Sequence, residues 1–259
     1  MTRFWPNAHA FVTGAGSGIG AATAIALAKS GVRVSIAGRR IDALKATAAM
    51  LGEQAGAVVA IDVTVEAAVR KGVAQIEAAA GPIDILVNNA GKAGSAPFDK
   101  TDAALWADMI ASNLTSVFLV TQAVLSGMAK RGRGRVINVA STAGLTGYAY
   151  VPAYVAAKHG VVGLTRSLAL EYARRGVTIN AVCPGYTDTP LVADATANIV
   201  AKTGRSEDEA RAALAKVNPM QRLVTPEEVA DAILWLASEG AASINGQAVA
   251  VAGGEVLTG

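Results

Sequence analysis

Cysteine and histidine, which most often hold transition metals or form cross-links, are nearly absent from this sequence. Its 259 residues include one cysteine, Cys183, and two histidines, His9 and His159. One cysteine excludes a disulfide within the chain, and three such scattered side chains cannot assemble a His/Cys metal cluster. We therefore predict no metal site and interpret Cys183 and His159 as structural residues.

Long apolar runs and aromatic residues are also scarce. No apolar run approaches the roughly 18 residues that a membrane span needs. The first eleven residues lack a signal-peptide pattern because Pro6, Asn7 and His9 interrupt them, so we expect a cytoplasmic protein with no membrane partner. Aromatic residues make up 5% of the chain and apolar residues 52%, which predicts a core of Ala, Val, Ile and Leu, typical of helices on a parallel sheet.

Charged residues are few, at 17% of the chain, and the formal net charge of +3 is spread along it. This mild excess of positive charge gives little support to a nucleic-acid partner, and we predict none. The densest basic cluster comprises Lys130, Arg131, Arg133 and Arg135. We interpret it as a solvated helix end, where cations complement the helix dipole. Contact with an acidic carrier or a coenzyme A phosphate is the alternative.

Short β-branched runs alternate with longer helical patterns up to about residue 185. This order is typical of βαβ units and therefore of a parallel sheet. We predict an α/β fold: a single doubly wound Rossmann-type domain over residues 1–259, with about seven parallel strands and helices on both faces. The predicted strands are 8–13, 33–37, 57–62, 85–88, 135–139, 177–182 and 248–251.

Helical patterns fill the spaces between the predicted strands. Thr225, Pro226 and Glu228 form a sequence signal for a helix N-terminus. Segment 191–220 is the main departure from the alternation, and we interpret it as an insertion with two short helices. The other predicted helices are 19–30, 41–51, 66–80, a pair within 102–130, 152–172 and 226–238.

A glycine-rich turn, Thr13-Gly14-Ala15-Gly16-Ser17-Gly18-Ile19-Gly20, follows the first predicted strand and opens directly into a helix. Glycine permits positive φ and close approach to a pyrophosphate, and a helix N-terminus offers unpaired N–H groups to phosphates. The position between a strand and a helix predicts dinucleotide binding. The candidate cofactor-binding residues here are Gly14, Ser17, Gly18, Ile19 and Gly20.

The glycine spacing G-x-x-x-G-x-G resembles that of the short-chain dehydrogenase/reductase family, and the resemblance covers nearly the whole chain. Two further motifs lie where predicted strands end. Asp62-Val63 resembles the family's adenine-contacting pair, and Asn88-Asn89-Ala90-Gly91 resembles its N-N-A-G motif. Ligands of open α/β sheets bind at the carboxyl ends of the strands. The resemblance implies that Asp62, Val63, Asn89, Ala90 and Gly91 contact the cofactor.

The end of the second predicted strand bears on the choice of cofactor. An NAD-selective enzyme usually carries an acid there, but Gly38 stands in that place and is followed by Arg39 and Arg40. A carboxylate would repel a 2′-phosphate, whereas a guanidinium binds it bidentately. We therefore favour NADP(H) over NAD(H). Many NADP-selective relatives carry a second basic residue at the position of Ser17. The alternative is that Arg39 and Arg40 are solvated and do not bind a 2′-phosphate.

Tyr154 and Lys158 are four residues apart within a predicted helix, a spacing that puts a phenol and an ammonium on one face. A free tyrosine has a pKa near 10, and a neighbouring cation lowers it by stabilising the phenolate. A shift of about 3 pKa units corresponds to roughly 4 kcal/mol. One solvated charge does not supply that much, so we expect a dry pocket and the cofactor's positive ring to contribute.

The resemblance implies a catalytic set of four: Asn113, Ser141, Tyr154 and Lys158. Ser141 lies thirteen residues before Tyr154, matches the family's serine-to-tyrosine spacing, and would hydrogen-bond the carbonyl oxygen as it becomes an alkoxide. Hydride would pass between nicotinamide and the carbinol carbon while Tyr154 exchanges the proton. Lys158 would lower the pKa of Tyr154 and bind the nicotinamide ribose, and Asn113 would hold a water in the proton relay.

The loop after the sixth predicted strand resembles the family's Pro-Gly motif, which implies cofactor contacts from Pro184, Gly185, Thr187 and Thr189. The family also implies that segment 191–220 covers the substrate, and its length predicts a mobile lid over an extended or bulky ligand. Candidate wall residues of the substrate pocket are Tyr148, Tyr150 and Tyr186.

The stretch 138–171 resembles ketoreductases of 3-oxoacyl thioesters and polyketides, in which basic residues contact a carrier. Arg131 and Arg175 lie where such residues occur. We expect reduction of a CoA- or carrier-linked or polyketide-like ketone. A catabolic dehydrogenase of a cyclic or aromatic alcohol is the alternative. From another class, a dinucleotide-sensing regulator would have no need of Tyr154 and Lys158. Relatives are usually tetramers, so we also expect a homotetramer.

Overall fold

A computed structural model describes residues 3–257 and contains one seven-stranded sheet. The strand order is β3-β2-β1-β4-β5-β6-β7, and neighbouring strands of this sheet run parallel to each other. The predicted α/β class with a doubly wound sheet is confirmed. The strands are β1 (His9–Thr13), β2 (Arg33–Gly38), β3 (Ala55–Ala60), β4 (Ile85–Asn88), β5 (Gly134–Val139), β6 (Val177–Pro184) and β7 (Ala248–Val251).

Helices follow most of the strands, as βαβ units require. Within residues 3–257 they are α1 (Gly18–Lys29), α2 (Ile41–Ala49), α3 (Glu66–Ala80), α4 (Ala103–Ile110), α5 (Ser116–Arg131), α6 (Pro152–Tyr172), α7 (Pro190–Thr203), α8 (Glu207–Ala215) and α9 (Pro226–Ala237). One wide π-type turn, Ala111–Thr115, joins α4 to α5 without a break. The insertion at 191–220 holds α7 and α8, the two short helices that its sequence predicts.

The helix ends follow local sequence signals. Thr225 and Glu228 form a reciprocal capping box at the start of α9, and Ser206 and Glu209 form another at the start of α8. Such caps satisfy N–H groups that no preceding turn can reach. Gly132 ends α5 in the left-handed conformation, which glycine adopts without steric cost.

Two apolar layers sandwich the sheet. Successive strand residues point to opposite faces: Ala10 and Val12 of β1 join the layer formed with α1 and α9, whereas Phe11 joins the layer formed with α3 and α5. Both faces of the sheet are therefore dry, and ligands can approach the strands only at their ends. This geometry places the candidate site at the carboxyl edge, where the loops that follow β1, β4, β5 and β6 converge.

The strand β3 is displaced from its predicted range: it covers Ala55–Ala60 instead of 57–62. Asp62 accepts hydrogen bonds from the backbone N–H and the hydroxyl of Thr64, at 3.0 and 2.6 Å. This local turn removes Asp62 from the sheet ladder, because short polar side chains compete with regular structure for backbone partners. Asp62 therefore lies just beyond the strand end, in the connection that leads to α3.

The continuous helical segment Ala103–Arg131 spans 29 residues and has a window of mean hydropathy 1.4, enough by length and composition to cross a membrane. The sequence prediction that no segment reaches this length holds for unbroken apolar runs but not for this helix. A core helix passes the same test, and α5 contributes Val120, Val124 and Met128 to the buried layer against the sheet. We interpret the segment as a core helix.

Candidate active site

The candidate site begins at the point where the strand order reverses, between β1 and β4. Gly14, directly after β1, has φ +65°, and a Cβ built on it would lie 2.8 Å from the Cα of Ala90. The Asn89 amide donates to the backbone oxygens of Thr13 and Gly14, at 3.0 and 3.1 Å. The asparagine motif after β4 therefore clamps the glycine-rich turn after β1, and a side chain at Gly14 would separate the two.

The N-terminus of α1 faces this turn with polar groups that are available to an anion. Its N-cap, Ser17, makes no side-chain capping bond, and the first turn of α1 carries no acid. Gly18 has φ +55°, and Ile19 and Gly20 follow in the first helical turn. The free N–H groups and the helix dipole at such an end suit a pyrophosphate. The residues therefore fit the phosphates of a dinucleotide.

Two arginines extend from the end of β2 beside that turn. The Arg40 guanidinium donates to Ser17 Oγ at 3.5 Å, and both arginines are exposed. On the neighbouring strand, hydrogen bonds from Thr64 hold the pKa of Asp62 below its usual value, with a smaller contribution from the charge of Arg39. Cationic side chains and Ser17 thus surround the position where a ribose would meet the end of β2, and Val63 follows Asp62 in the adjoining connection.

Tyr154, on the first turn of α6, is the phenol at the centre of the carboxyl edge. Ser141, which follows β5, lies near enough to the Tyr154 hydroxyl to lower its pKa, and Ser141 Oγ accepts from the backbone N–H of Ala143 at 3.1 Å. The Lys158 ammonium lies 5.6 Å from the centroid of the Tyr154 ring. The structure thus brings together three of the four predicted catalytic side chains.

The direction of the Tyr154 pKa differs from the sequence expectation. Burial raises the pKa of Tyr154, while the nearby Ser141 side chain lowers it to a smaller extent. Desolvation disfavours the phenolate, so the phenol stays protonated at neutral pH in this structure.

Lys158 is itself perturbed. It is 5% exposed, and burial lowers its pKa from 10.5 to about 8. Its ammonium donates to the backbone oxygen of Val139, the last residue of β5, at 2.9 Å. A buried ammonium with a pKa near neutrality can exchange protons at physiological pH.

Asn113 lies in the wide turn between α4 and α5 and is fully buried. Its Oδ1 accepts from the backbone N–H of Lys92 at 3.1 Å, and its Nδ2 donates to the Met109 oxygen at 3.0 Å. A Cβ on Gly91 would lie 2.7 Å from that Oδ1 and 3.8 Å from Lys158 Nζ. π-Type turns occur often at functional sites, and this one positions the asparagine near the lysine.

The loop after β6 closes the site from the other side. Thr187 is buried, and its hydroxyl donates to the backbone oxygen of Gly185 at 3.0 Å. A Cβ on Gly18 would lie 3.0 Å from Thr189 Cγ2. The structure therefore places the loop from Pro184 to Thr189 against the glycine-rich turn, as cofactor binding by both would require.

The insertion covers this edge. Arg211 of α8 forms an ion pair with Asp188, between Thr187 and Thr189. Asn198 of α7 donates to Ser95 Oγ at 3.2 Å. These contacts join the insertion to the loops after β6 and β4, so it spans the cleft above the catalytic side chains.

Of the three predicted wall tyrosines, two lie together. The rings of Tyr148 and Tyr186 meet edge to face, with centroids 6.5 Å apart. Tyr150 is 67% exposed and has φ +68°. It therefore lies at the surface rather than within this ring pair.

The basic cluster lies at the opposite edge. Arg131 donates to the backbone oxygen of Ile83, and Arg133 binds the Asp84 carboxylate with hydrogen bonds of 3.1 and 2.7 Å. All of these residues precede the starts of β4 and β5, whereas Ser141 follows the end of β5. Within one chain, Arg131 is therefore used for structure and is remote from Tyr154. Arg175, just before β6, stacks on Tyr172 at the same edge.

Sequence reasoning missed three contributors to the site. The backbone oxygen of Val139 accepts from Lys158, Thr142 hydrogen-bonds with Tyr148 at 2.9 Å, and Glu255 accepts a hydrogen bond from the Tyr148 hydroxyl. An acid directly after Gly253-Gly254 and the last apolar strand was the available signal for Glu255. The other two contacts join residues that no local pattern connects.

Comparison with known proteins agrees with this geometry. The family model described as short chain dehydrogenase matches residues 8–218. A crystal structure of an actinorhodin polyketide ketoreductase variant with NADPH superposes with a TM-score of 0.92 at 40% identity, covering 96% of this chain and 97% of that one.

Two curated relatives are similar over their full length. A cis-4-hydroxycyclohexanecarboxylate dehydrogenase of Sinomonas cyclohexanicum is 42% identical over 247 residues, 95% of each chain. An acetoacetyl-CoA reductase of Rhizobium meliloti strain 1021 is 38% identical over 246 residues, 95% of this chain and 97% of the relative.

The fold and the site define a nicotinamide-dependent oxidoreductase of the α/β class. The chain belongs to the short-chain dehydrogenase family. It interconverts a ketone and a secondary alcohol, which confirms the class of reaction predicted from the sequence.

Proposed function

We propose that this chain works as a carbonyl reductase in which Tyr154 donates the proton to the carbonyl oxygen. The bound nicotinamide supplies the hydride. The observation that carries the proposal is the cluster of Ser141, Tyr154 and Lys158 at the carboxyl edge, with the phenol held protonated by burial. A protonated phenol is the form that reduction consumes, so the raised pKa suits this direction.

The other residues of the set orient and resupply the proton. Ser141 hydrogen-bonds the carbonyl oxygen and stabilises the charge that develops on it. Lys158, with a pKa near 8, returns a proton to Tyr154. Asn113, in its buried turn, holds the water of this proton relay in place. Lys158 also holds the nicotinamide ribose when the cofactor is bound.

NADP(H) is the preferred cofactor in this proposal. The exposed Arg39 and Arg40 at the end of β2, with no acid at Gly38, favour a 2′-phosphate through charge-assisted hydrogen bonds. Gly14, Ser17, Gly18, Ile19 and Gly20 would hold the phosphates. Asp62 and Val63 would contact the adenine, and the remaining contacts would come from Asn89, Ala90, Gly91, Pro184, Gly185, Thr187 and Thr189.

The substrate is a polyketide-like or 3-oxoacyl ketone in this proposal. The likeness to a polyketide ketoreductase and to an acetoacetyl-CoA reductase supports it. The Arg131 guanidinium donates to the Ile83 oxygen at the edge where the strands begin, which argues against a contact between Arg131 and a carrier bound at the site of the same chain. A cyclic secondary alcohol is the second candidate, since one relative with 42% identity is a dehydrogenase of such a compound.

The chain acts as a single catalytic domain in the cytoplasm, with α7 and α8 as the lid. Exposed apolar side chains on the long helices, Trp106, Phe118 and Leu170, support helix contacts between copies in a homotetramer.

A panel of ketones assayed with NADH and NADPH tests the proposal, with Tyr154→Phe as the key variant. We expect Tyr154→Phe to lower kcat at least about 100-fold, as loss of a general acid does. Tyr172→Phe, at the other end of the same helix, is the matched control and should keep its activity. Undiminished reduction by Tyr154→Phe would refute the proposed proton donor.

A further inference from the structure

A double-glycine turn directs Glu255 back toward the candidate site. After β7 the chain runs Ala252-Gly253-Gly254-Glu255, and the Glu255 N–H donates to the Ala252 oxygen at 3.1 Å. Both glycines have positive φ, +59° and +92°, a conformation that other residues adopt only with strain. The turn therefore fixes the direction in which the Glu255 side chain leaves the backbone.

The Glu255 carboxylate is only half satisfied. The Tyr148 hydroxyl donates to its Oε1, while its Oε2 is buried and has no hydrogen-bond partner within residues 3–257. No Lys or Arg of the described chain forms an ion pair with it. A buried carboxylate oxygen without a partner loses its hydration without compensation, so this oxygen is an open acceptor.

The surroundings of that oxygen are those of the catalytic edge. A Cβ on Gly185 would lie 2.5 Å from Glu255 Oε2, which places the carboxylate against the loop after β6. Tyr148 also hydrogen-bonds with Thr142, the residue after Ser141. Burial raises the pKa of Tyr186, and the negative charge of Glu255 raises it further. The carboxylate therefore lies among residues next to the proposed oxyanion donor and the pocket wall.

We propose that Glu255 is a specificity-determining residue whose Oε2 accepts a hydrogen bond from a hydroxyl of the substrate, so that the enzyme prefers ketones carrying a second, hydroxyl or enol, oxygen. This inference rests on the proposed carbonyl reduction and names its substrate class further. The same carboxylate disfavours ketones that place a carboxylate near it.

Two physical effects set the expected selectivity. A substrate hydroxyl satisfies an acceptor that otherwise stays desolvated, and hydrogen bonds to charged groups are stronger than neutral ones. A second negative charge in the same partly dry pocket is repelled, because screening by water is weak there. Tyr148 holds the carboxylate in place from the opposite oxygen, so a substrate hydroxyl that displaces the atoms enclosing Oε2 takes up an acceptor that is already oriented.

For each variant, kcat/KM for a given ketone is divided by kcat/KM for cyclohexanone, so that a general loss of activity cancels from the ratio. The substrates are cyclohexanone, its three hydroxycyclohexanone regioisomers and 4-oxocyclohexanecarboxylate. For the unmodified enzyme we expect at least one hydroxyketone to exceed cyclohexanone by about tenfold, and the ketoacid to fall below it. In Glu255→Leu the hydroxyketone ratio should fall to about one, since the acceptor is gone.

Glu255→Gln separates charge from hydrogen bonding. It keeps a neutral acceptor, so an intermediate hydroxyketone ratio is expected, while the ketoacid ratio should rise about fivefold as the repulsion disappears. Glu53→Gln, an exposed acid between α2 and β3, is the matched control and should leave every ratio unchanged. NADPH binding by each variant, followed by fluorescence, checks that it is folded.

The outcomes separate this inference from the proposed function. If the unmodified enzyme reduces cyclohexanone but shows equal ratios for the hydroxyketones, or if Glu255→Leu keeps its preference, the inference fails and the carbonyl reductase stands. If the unmodified enzyme reduces none of these ketones with either cofactor, both fail.

Discussion

At the amino edge of the sheet, where the strands begin, each buried charge has partners, whereas at the carboxyl edge, where they end, polar groups are left open. Asp84, at the amino edge, is 1% exposed and binds the guanidinium of Arg133 with two hydrogen bonds. The guanidiniums of Arg133 and Arg135 lie 5.1 and 4.7 Å from the ring centroid of Trp5.

The carboxyl edge buries charge with less compensation. Within residues 3–257, the Lys158 ammonium hydrogen-bonds only with the Val139 oxygen, and one carboxylate oxygen of Glu255 has no partner. Full pairing stabilises the fold, while incomplete pairing leaves a group able to bind or exchange protons with a ligand. The buried charged groups at the two edges therefore differ in their partners more than in their burial.

Of the substitutions considered, we expect the greatest loss of activity at Lys158. Lys158→Met should lower kcat about 100-fold to 10,000-fold, because the proton supply to Tyr154 is lost. The pKa of Lys158 is depressed in the folded protein, from 10.5 to about 8, so the free energy of unfolding falls as the pH drops from 10.5 to about 8, and the full cost is present below that. The variant should therefore be more stable at pH 7, by about 2 kcal/mol. Steady-state kinetics and urea unfolding test both parts, and a less stable variant would contradict the comparison.

At the amino edge the expected result is reversed. Asp84→Asn removes the charge that Arg131 and Arg133 face, so we expect the free energy of unfolding to fall by about 3 kcal/mol. The kcat per folded molecule should stay the same, since Asp84 is remote from Tyr154. Asp231→Asn, on the exposed side of α9, is the control. A loss of kcat without a loss of stability would contradict a structural role.

The pH dependence of the free energy of unfolding tests the role of His9 at the amino edge. Burial lowers the pKa of His9, and its ring binds Ser35 Oγ and the Gly81 oxygen, each at 2.8 Å. The neutral ring therefore contributes fully above pH 6.5. Its contribution is lost as the pH falls below 6.5, because the unfolded chain takes up the proton more readily, with a slope of at most about 1.4 kcal/mol per pH unit.

The chain has only two histidines, which makes the test clean. His9→Gln should flatten the pH dependence of the free energy of unfolding between pH 5 and 7. His159→Gln, at an exposed position on α6, should leave it unchanged. An unaltered slope in His9→Gln would show that another group controls acid stability.

The smallest expected effect is at the lid, where a charge pair near the site is exposed. Arg211→Ala removes the pair with Asp188, whose side chains are 44% and 53% exposed. Exposed pairs contribute about 0–1 kcal/mol, so we expect a KM change of about threefold or less and little change in kcat. Arg205→Ala, in the same insertion, is the control. A 100-fold loss of kcat would show that the pair does more than hold the lid.

Much of the fold could be predicted because its signals are local. The alternation of short apolar strands with helical patterns predicted the parallel sheet, and the Thr225 and Glu228 capping box marked the start of α9 within the sequence itself. β3 was displaced because Thr64 hydrogen-bonds Asp62, a turn that the apolar pattern does not reveal. The helical pair over 102–130 was predicted, but its continuity through the π-type turn at Asn113 was not, since polar residues interrupt the sequence there but not the backbone.

Placement of the candidate side chains was predictable where a motif is short, as for Tyr154 and Lys158, which lie four residues apart on one face of α6. The pKa of Tyr154 was not, because it depends on burial by segments distant in sequence. Arg131 illustrates the same limit: the Asp84 carboxylate and the Ile83 oxygen, almost fifty residues away, hold it at the far edge.

We could derive from the sequence the order of elements, the glycine turn, the tyrosine and lysine spacing and the lack of an acid at Gly38, since each depends only on near neighbours along the chain. The tertiary structure was needed to show which charges are paired, that the buried phenol stays protonated, and that Glu255 contacts Tyr148 across 107 residues. Desolvation and hydrogen bonding depend on what lies close in space, and chain distance does not reveal that.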